Sequence, residues 1–128
     1  MPAQIPSEWE SIAQEIQVAA LNTAVEGFFI ISLGNARYPD LYIQGTWNDE
    51  ETIWIEVAQC EDVLESTLKT LEALGWTAPD DDLPNHHKEL NWDEAQSHVI
   101  AEHFIEAIRA FNISAEDCEL EVSLEFEK

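Results

Sequence analysis

Leu71-Glu72-Ala73-Leu74-Gly75-Trp76-Thr77-Ala78-Pro79 closes a helix in a way that dictates what packs on it. A glycine just past a helix takes the left-handed conformation without a Cβ penalty, and in the Schellman pattern the next residue folds back onto the helix. Trp76 is therefore expected to cover Leu71, four positions before the glycine. Leading into this stop, Leu64, Leu68, Leu71 and Leu74 recur along one side of a helix that runs from Asp62.

Upstream of that helix the period changes from about four to two. Leu41, Ile43 and Trp47 alternate with Tyr42, Gln44 and Thr46; after the polar Asn48-Asp49-Glu50-Glu51 turn, Ile53, Ile55 and Val57 alternate with Trp54, Glu56 and Ala58. Two strands in a hairpin follow from this. Before them, Phe28 to Leu33 is a β-rich run between Gly27 and Gly34-Asn35. It is preceded by a helix from about Glu8 to Val25, with a Ser7/Glu10 capping box and an apolar stripe of Trp9, Ile12, Ile16 and Ala20.

Downstream lies an acidic loop with Pro79, Asp80, Asp81, Asp82 and Pro84, within which Asn85 to Leu90 can add a short edge strand. A third helix is expected to be capped by Asn91 with Glu94, to bury Ile100, Phe104, Ala107, Ile108 and Phe111, and to end near Asn112. Finally Cys118, Leu120, Val122, Leu124 and Phe126 alternate strictly with Glu119, Glu121, Ser123 and Glu125, as a half-buried strand does. The expected fold is one α+β domain over 1–128, with its core at about 8–126. It is a two-layer arrangement of an antiparallel sheet with helices packed on one face, in the order α-β-β-β-α-(β)-α-β.

The 128 residues carry 5 basic and 27 acidic side chains, a formal net charge of -22. Such a surface repels phosphate backbones and anionic lipids, so neither nucleic acid nor membrane is expected as a partner, and a basic protein or peptide segment is. With 45% hydrophobic residues the chain is too apolar for disorder. Cys60 and Cys118 lack the second pair that a disulfide framework or a four-cysteine zinc site needs, and both read as reduced, at least partly buried thiols. Met1 to Pro6 lacks the basic start and apolar stretch of a secretion signal, so a cytoplasmic location is expected.

With this order in hand, Gly34 through Asp40, Leu41-Tyr42-Ile43-Gln44, the second helix, Leu74-Gly75-Trp76, Pro79 and Pro84-Asn85, then a helix and a closing strand, resemble the YbjN-like and TY-Chap families of bacterial domains. Those families share the class I type III secretion chaperone fold. The resemblance covers roughly residues 8 to 126 and rests most on Leu71, Leu74, Gly75, Trp76, Pro79, Pro84 and Asn85; it departs at His86, where an aromatic residue is frequent, and in its extreme charge. It implies a non-catalytic domain without cofactors that binds protein or peptide segments, with homodimerisation a further implication. The apolar run Phe28 to Leu33 fits either coverage by a second copy or a central place in the sheet.

Strand alternation puts Tyr42, Gln44, Trp54, Glu56, Glu119, Glu121 and Glu125 on the side of the sheet away from the helices. Aromatics there would bury area and carboxylates would select Lys or Arg, whereas the plain alternative is a solvated face. Tyr42 and Trp54, on neighbouring strands of one hairpin, are expected near each other. The same charge admits a DNA mimic or anti-repressor, whose carboxylates would stand in two rows at duplex-like spacing. A divalent-metal enzyme using His98 and Glu102 is a weaker reading: Glu94, His98, Glu102 and Glu106 form a polar helix stripe, without the arrangement of zinc proteases. Asp80 to Asp82 lack the ligand spacing of a calcium loop. His86 and His87, if extended, point to opposite faces. There is no nucleophile elbow and no glycine-rich phosphate loop. Trp9, Trp47, Trp76 and Trp92 are expected in the core or at caps.

Overall fold

In a computed structural model, residues 7–49, 51–58, 64–80, 82, 85–91 and 97–127 are described, the last stretch from backbone alone at 97, 98, 126 and 127, as is residue 25. A single 3-10 turn, Ser7–Trp9, leads into α1 (Glu10–Leu21). There follow β1 (Thr23–Ser32), β2 (Tyr42–Trp47), β3 (Thr52–Val57), α2 (Glu65–Ala73), β4 (His86–Asn91), α3 (Ser97–Arg109), a second 3-10 turn (Ala115–Asp117) and β5 (Glu121–Glu127). The sheet is antiparallel throughout, in the order β4-β3-β2-β1-β5. This is the expected two-layer α+β arrangement, including the short edge strand after Asn85. α3 carries the chain back across the sheet, from β4 at one edge to β5 at the other.

β2 and β3 alternate strictly between buried and half-buried residues, the signature of one covered face. The covered side presents Phe29, Ile31, Ile43, Ile53, Ile55 and Val57, all fully buried. Phe29 meets Phe104 of α3 edge to face at 6.1 Å, and Phe104 lies 6.2 Å from Trp76. Gly45 is required beneath this layer: a Cβ there would run into the Phe29 ring. α1 packs against α3 and buries Ile12, Ala13, Ile16, Ala19 and Ala20, and the Trp47 indole donates to the Ala20 carbonyl at 3.1 Å.

The α2 stop has the expected geometry. Gly75 has φ +95; its N–H bonds Glu72 O at 3.0 Å, and the Trp76 N–H bonds Leu71 O at 3.0 Å, the two bonds of a Schellman cap. Trp76 and Leu71 are buried together. The leucine stripe is narrower than expected, since Leu64 serves as N-cap and is 45% exposed. Its proposed start at Asp62 lies outside the described residues.

Several boundaries differ from the sequence reading. α1 ends at Leu21, not Val25, because Asn22 and Thr23 turn their side chains back onto the last turn. Asn22 Nδ2 donates to Val18 O at 2.8 Å and Thr23 Oγ1 to Ala19 O at 2.8 Å. β1 then begins at Thr23 and crosses an irregularity between Thr23 and Phe28, where Glu26 has φ 70. The Ser7/Glu10 box does not form the cap, because the 3-10 turn makes Trp9 the N-cap, with no side-chain cap bond. Asn91 pairs with Thr52 as the last residue of β4 instead of opening α3, and Glu94 and Trp92 lie outside the described residues. β5 starts at Glu121, not Cys118, because the 3-10 turn ties the Cys118 N–H to Ala115 O at 3.1 Å.

Candidate functional site

All three helices lie on the Phe29 side, so the opposite side of the sheet faces outward, and strand register arranges it in cross-sheet rows. One row reads His87, Glu56, Gln44, Ile30 and Ser123; the next reads Glu89, Trp54, Thr46, Phe28 and Glu125. A third contains Tyr42, Ser32 and Glu121. Most of these side chains are half-buried by their neighbours, and Glu89, Glu121, Ser123 and Glu125 are exposed. The acidic and aromatic residues read from alternation, Glu119 excepted, thus share one face.

Polar contacts hold this face in place. Gln44 Nε2 donates to Glu56 Oε2 at 3.3 Å, and Asn85 Nδ2 donates to Tyr42 Oη at 3.3 Å and to Glu56 Oε1 at 3.5 Å. Trp54 stacks on His87 at 4.8 Å with a 16° interplanar angle, and His87 Nδ1 lies 2.9 Å from Asn85 O. At the hairpin end, Asn48 Nδ2 donates to Glu89 Oε2 at 3.1 Å. There Asp49 Oδ1 accepts from the backbone N–H groups of Glu51 and Thr52, which draw its carboxyl below the usual range. No lysine or arginine occupies the described outward positions of these rows.

Tyr42 and Trp54 are not close. Trp54 pairs with Thr46 near the turn, whereas the Tyr42 carbonyl bonds Ala58 at the far end, which sets them two rows apart, on the order of 13 Å along the strands, with the Gln44/Glu56 row between. Glu119 precedes β5 and donates its N–H to Leu33 O at 2.8 Å, exposed beside the face and outside the strand. Alternation within the hairpin did not disclose Phe28, Ile30, His87 and Glu89 as members of the face. Their strand parity was the available signal, obscured in β1 by an unbroken apolar run.

Other candidates separate. His86 lies opposite Val57 on the covered side and His87 opposite Glu56 on the outward side, as extended backbone requires. Burial lowers the His86 pKa against the pull of Glu72. Pro79 is half-buried, and Pro84 lies outside the described residues. Glu102 is half-buried on α3, while the side chain of His98 is outside the described set. Among the described residues no group of three or more His, Cys, Asp or Glu is gathered as metal ligands would be. Cys118 is a half-buried free thiol whose pKa is pushed up by burial and by Asp117, which suppresses its thiolate form. Cys60 lies outside the described residues. No helix among the described residues is long and apolar enough to cross a membrane.

Compared with protein-family models, with curated proteins and with solved structures, the chain matches none.

Proposed function

We propose that this chain is a non-catalytic binding domain, of the kind the chaperone-like resemblance implies, that takes a basic amphipathic segment of a protein partner on the helix-free side of its sheet. The observation that carries this reading is the composition of that side: Phe28, Ile30, Tyr42 and Trp54 interleaved with Glu56, Glu89, Glu121 and Glu125, with no cation among them. Apolar and aromatic surface supplies contact area, and the carboxylates select lysine or arginine and speed encounter. Glu56 is already oriented by Gln44 and Asn85, so little side-chain ordering remains to oppose binding.

A two-row phosphate mimic has less support. Exposed carboxylates stand on helix α1 (Glu10, Glu15), on α2 (Glu65, Glu72) and across the sheet on β5 (Glu121, Glu125), a spread over both layers.

Titration of a fluorescent cationic amphipathic peptide against the intact protein tests the proposal. Saturable binding is expected, weakened about tenfold by Trp54→Ala and further by Glu56→Lys, and weakened by salt because the Debye length at 0.15 M is only about 8 Å. Binding that is absent, or indifferent to both substitutions, overturns the proposal.

A further inference from the structure

β5 is the outer strand beyond β1, and no described strand pairs with its other edge. On the helix side of that edge, α1 and β5 leave a groove of about 430 Å³, lined by Val18, Ala19, Val122 and Leu124 and by polar residues of α1 and its C-cap that include Glu15 and Asn22. Val18 is 57% exposed and Val122 is 42% exposed, and Leu21, on the same helix, is 55% exposed. The only other large hydrophobic among the described residues with comparable exposure is Leu64. Two of these four exposed hydrophobics, Val18 and Val122, therefore meet beside one open strand edge, the arrangement that proteins otherwise blunt because unpaired N–H and C=O groups invite another strand.

We infer that this edge accepts an extended segment of a basic partner as a sixth strand, one whose residues alternate between apolar and lysine or arginine. The alternation follows from the pleat. Directly opposite residues of paired strands point to the same side, so residues facing Val122 and Leu124 enter the groove beside Val18, and those facing Glu121 and Glu125 lie on the outward side. An apolar–basic alternation satisfies both rows, and main-chain hydrogen bonds supply the remainder.

A second copy of this chain fits the edge poorly. The pleat permits only symmetric antiparallel registers that pair odd-numbered residues with odd-numbered ones. Glu121 and Glu125 would then face each other or their own copies, with Ser123 to dilute them, between chains of net charge -22 each.

This site shares its partner chemistry with the proposal above but not its place, and the two can fail separately. The test is the affinity of the intact protein for a labelled peptide of alternating valine and lysine, against a peptide of the same composition arranged in blocks. Hydrogen exchange of residues 121–127 is followed in parallel. The alternating peptide is expected to bind at least tenfold more tightly than the block peptide and to slow exchange along β5. Val18→Arg and Val122→Arg should each weaken it about tenfold with unchanged circular dichroism, and Trp54→Ala should leave it unchanged. Equal affinity for the two peptides, binding unaffected by both arginine substitutions, loss of binding in Trp54→Ala, or a dimer in sedimentation that Val122→Arg dissociates would each overturn the inference.

Discussion

At the β4 edge of the sheet the chain provides part of its own cover, whereas no described residue pairs with the outer edge of β5. Thr77, immediately after the helix stop, exchanges both backbone hydrogen bonds with His87, at 2.9 and 3.2 Å, and so occupies part of the outer edge of β4. On the covered side, Lys88 of the same strand donates to the Leu74 carbonyl at the end of α2 at 2.7 Å and to His103 Nδ1 of α3 at 2.9 Å, with its ammonium 4.9 Å from the Trp76 ring centroid. Strand, both helices and tryptophan are tied at one point. Among the described residues β5 has a single partner strand, and its apolar side is left 42% exposed at Val122. The edge next to the helix stop is tied into both helices, while the one beside α1 keeps an open, partly apolar side.

The largest expected effect breaks the closed side. Trp76→Ala removes a fully buried indole from against Leu71 and Phe104 and should cost about 3–5 kcal/mol, read as a fall in the urea midpoint. Lys88→Ala should cost less, about 2 kcal/mol, because it deletes a charged donor to the α2 terminus and leaves the Leu74 carbonyl unpaired. Gly75→Ala forces a Cβ into the left-handed region at φ +95 and should cost about 1–2 kcal/mol; the nearest atoms are the flexible end of Lys88, so strain and not collision sets the loss.

The closed side also carries a pH dependence. Burial, and then the Lys88 charge, hold the His103 pKa down to about 4, against 6.5 when unfolded. Between these values the unfolded chain binds the extra proton. The stability that His103 contributes is therefore complete above pH 6.5 and is lost as pH falls toward 4. His103→Gln keeps an acceptor for Lys88, and its urea midpoint should fall less steeply than that of wild type over this window; parallel profiles would refute the assignment. The smallest effect belongs to the open side: Val122→Arg should change stability by no more than about 0.5 kcal/mol, the mark of a residue that packs against nothing essential.

How much of this was legible in the sequence depended on the range of the interaction. The Schellman stop is written within six residues, Leu71 to Trp76, and was readable in full. The same is true of the β2–β3 alternation and of the opposed directions of His86 and His87. The end of α1 was also local, but Gly27 drew attention away from Asn22 and Thr23, whose side chains bond backwards and stop the helix sooner. Strand order was not legible, because nothing in the sequence around Thr23–Ser32 says that β5 pairs with it from nearly a hundred residues away. The meeting of Lys88 with His103 likewise depends on three elements that sequence spacing does not relate. The outward face was half legible: parity assigned its residues, but only register could separate Tyr42 from Trp54 and bring Phe28 and Glu125 into one row.

The most direct test of the account follows the indole N–H resonances of the intact protein during titration with a cationic amphipathic peptide, because the tryptophans sample both sides of the sheet. Trp54 stands on the outward face, and Trp76 is buried beneath the helices. The Trp54 resonance is expected to shift saturably while that of Trp76 stays fixed. A Trp76 resonance that moves with the same midpoint while Trp54 stays still, or no movement of either up to millimolar peptide, would contradict it.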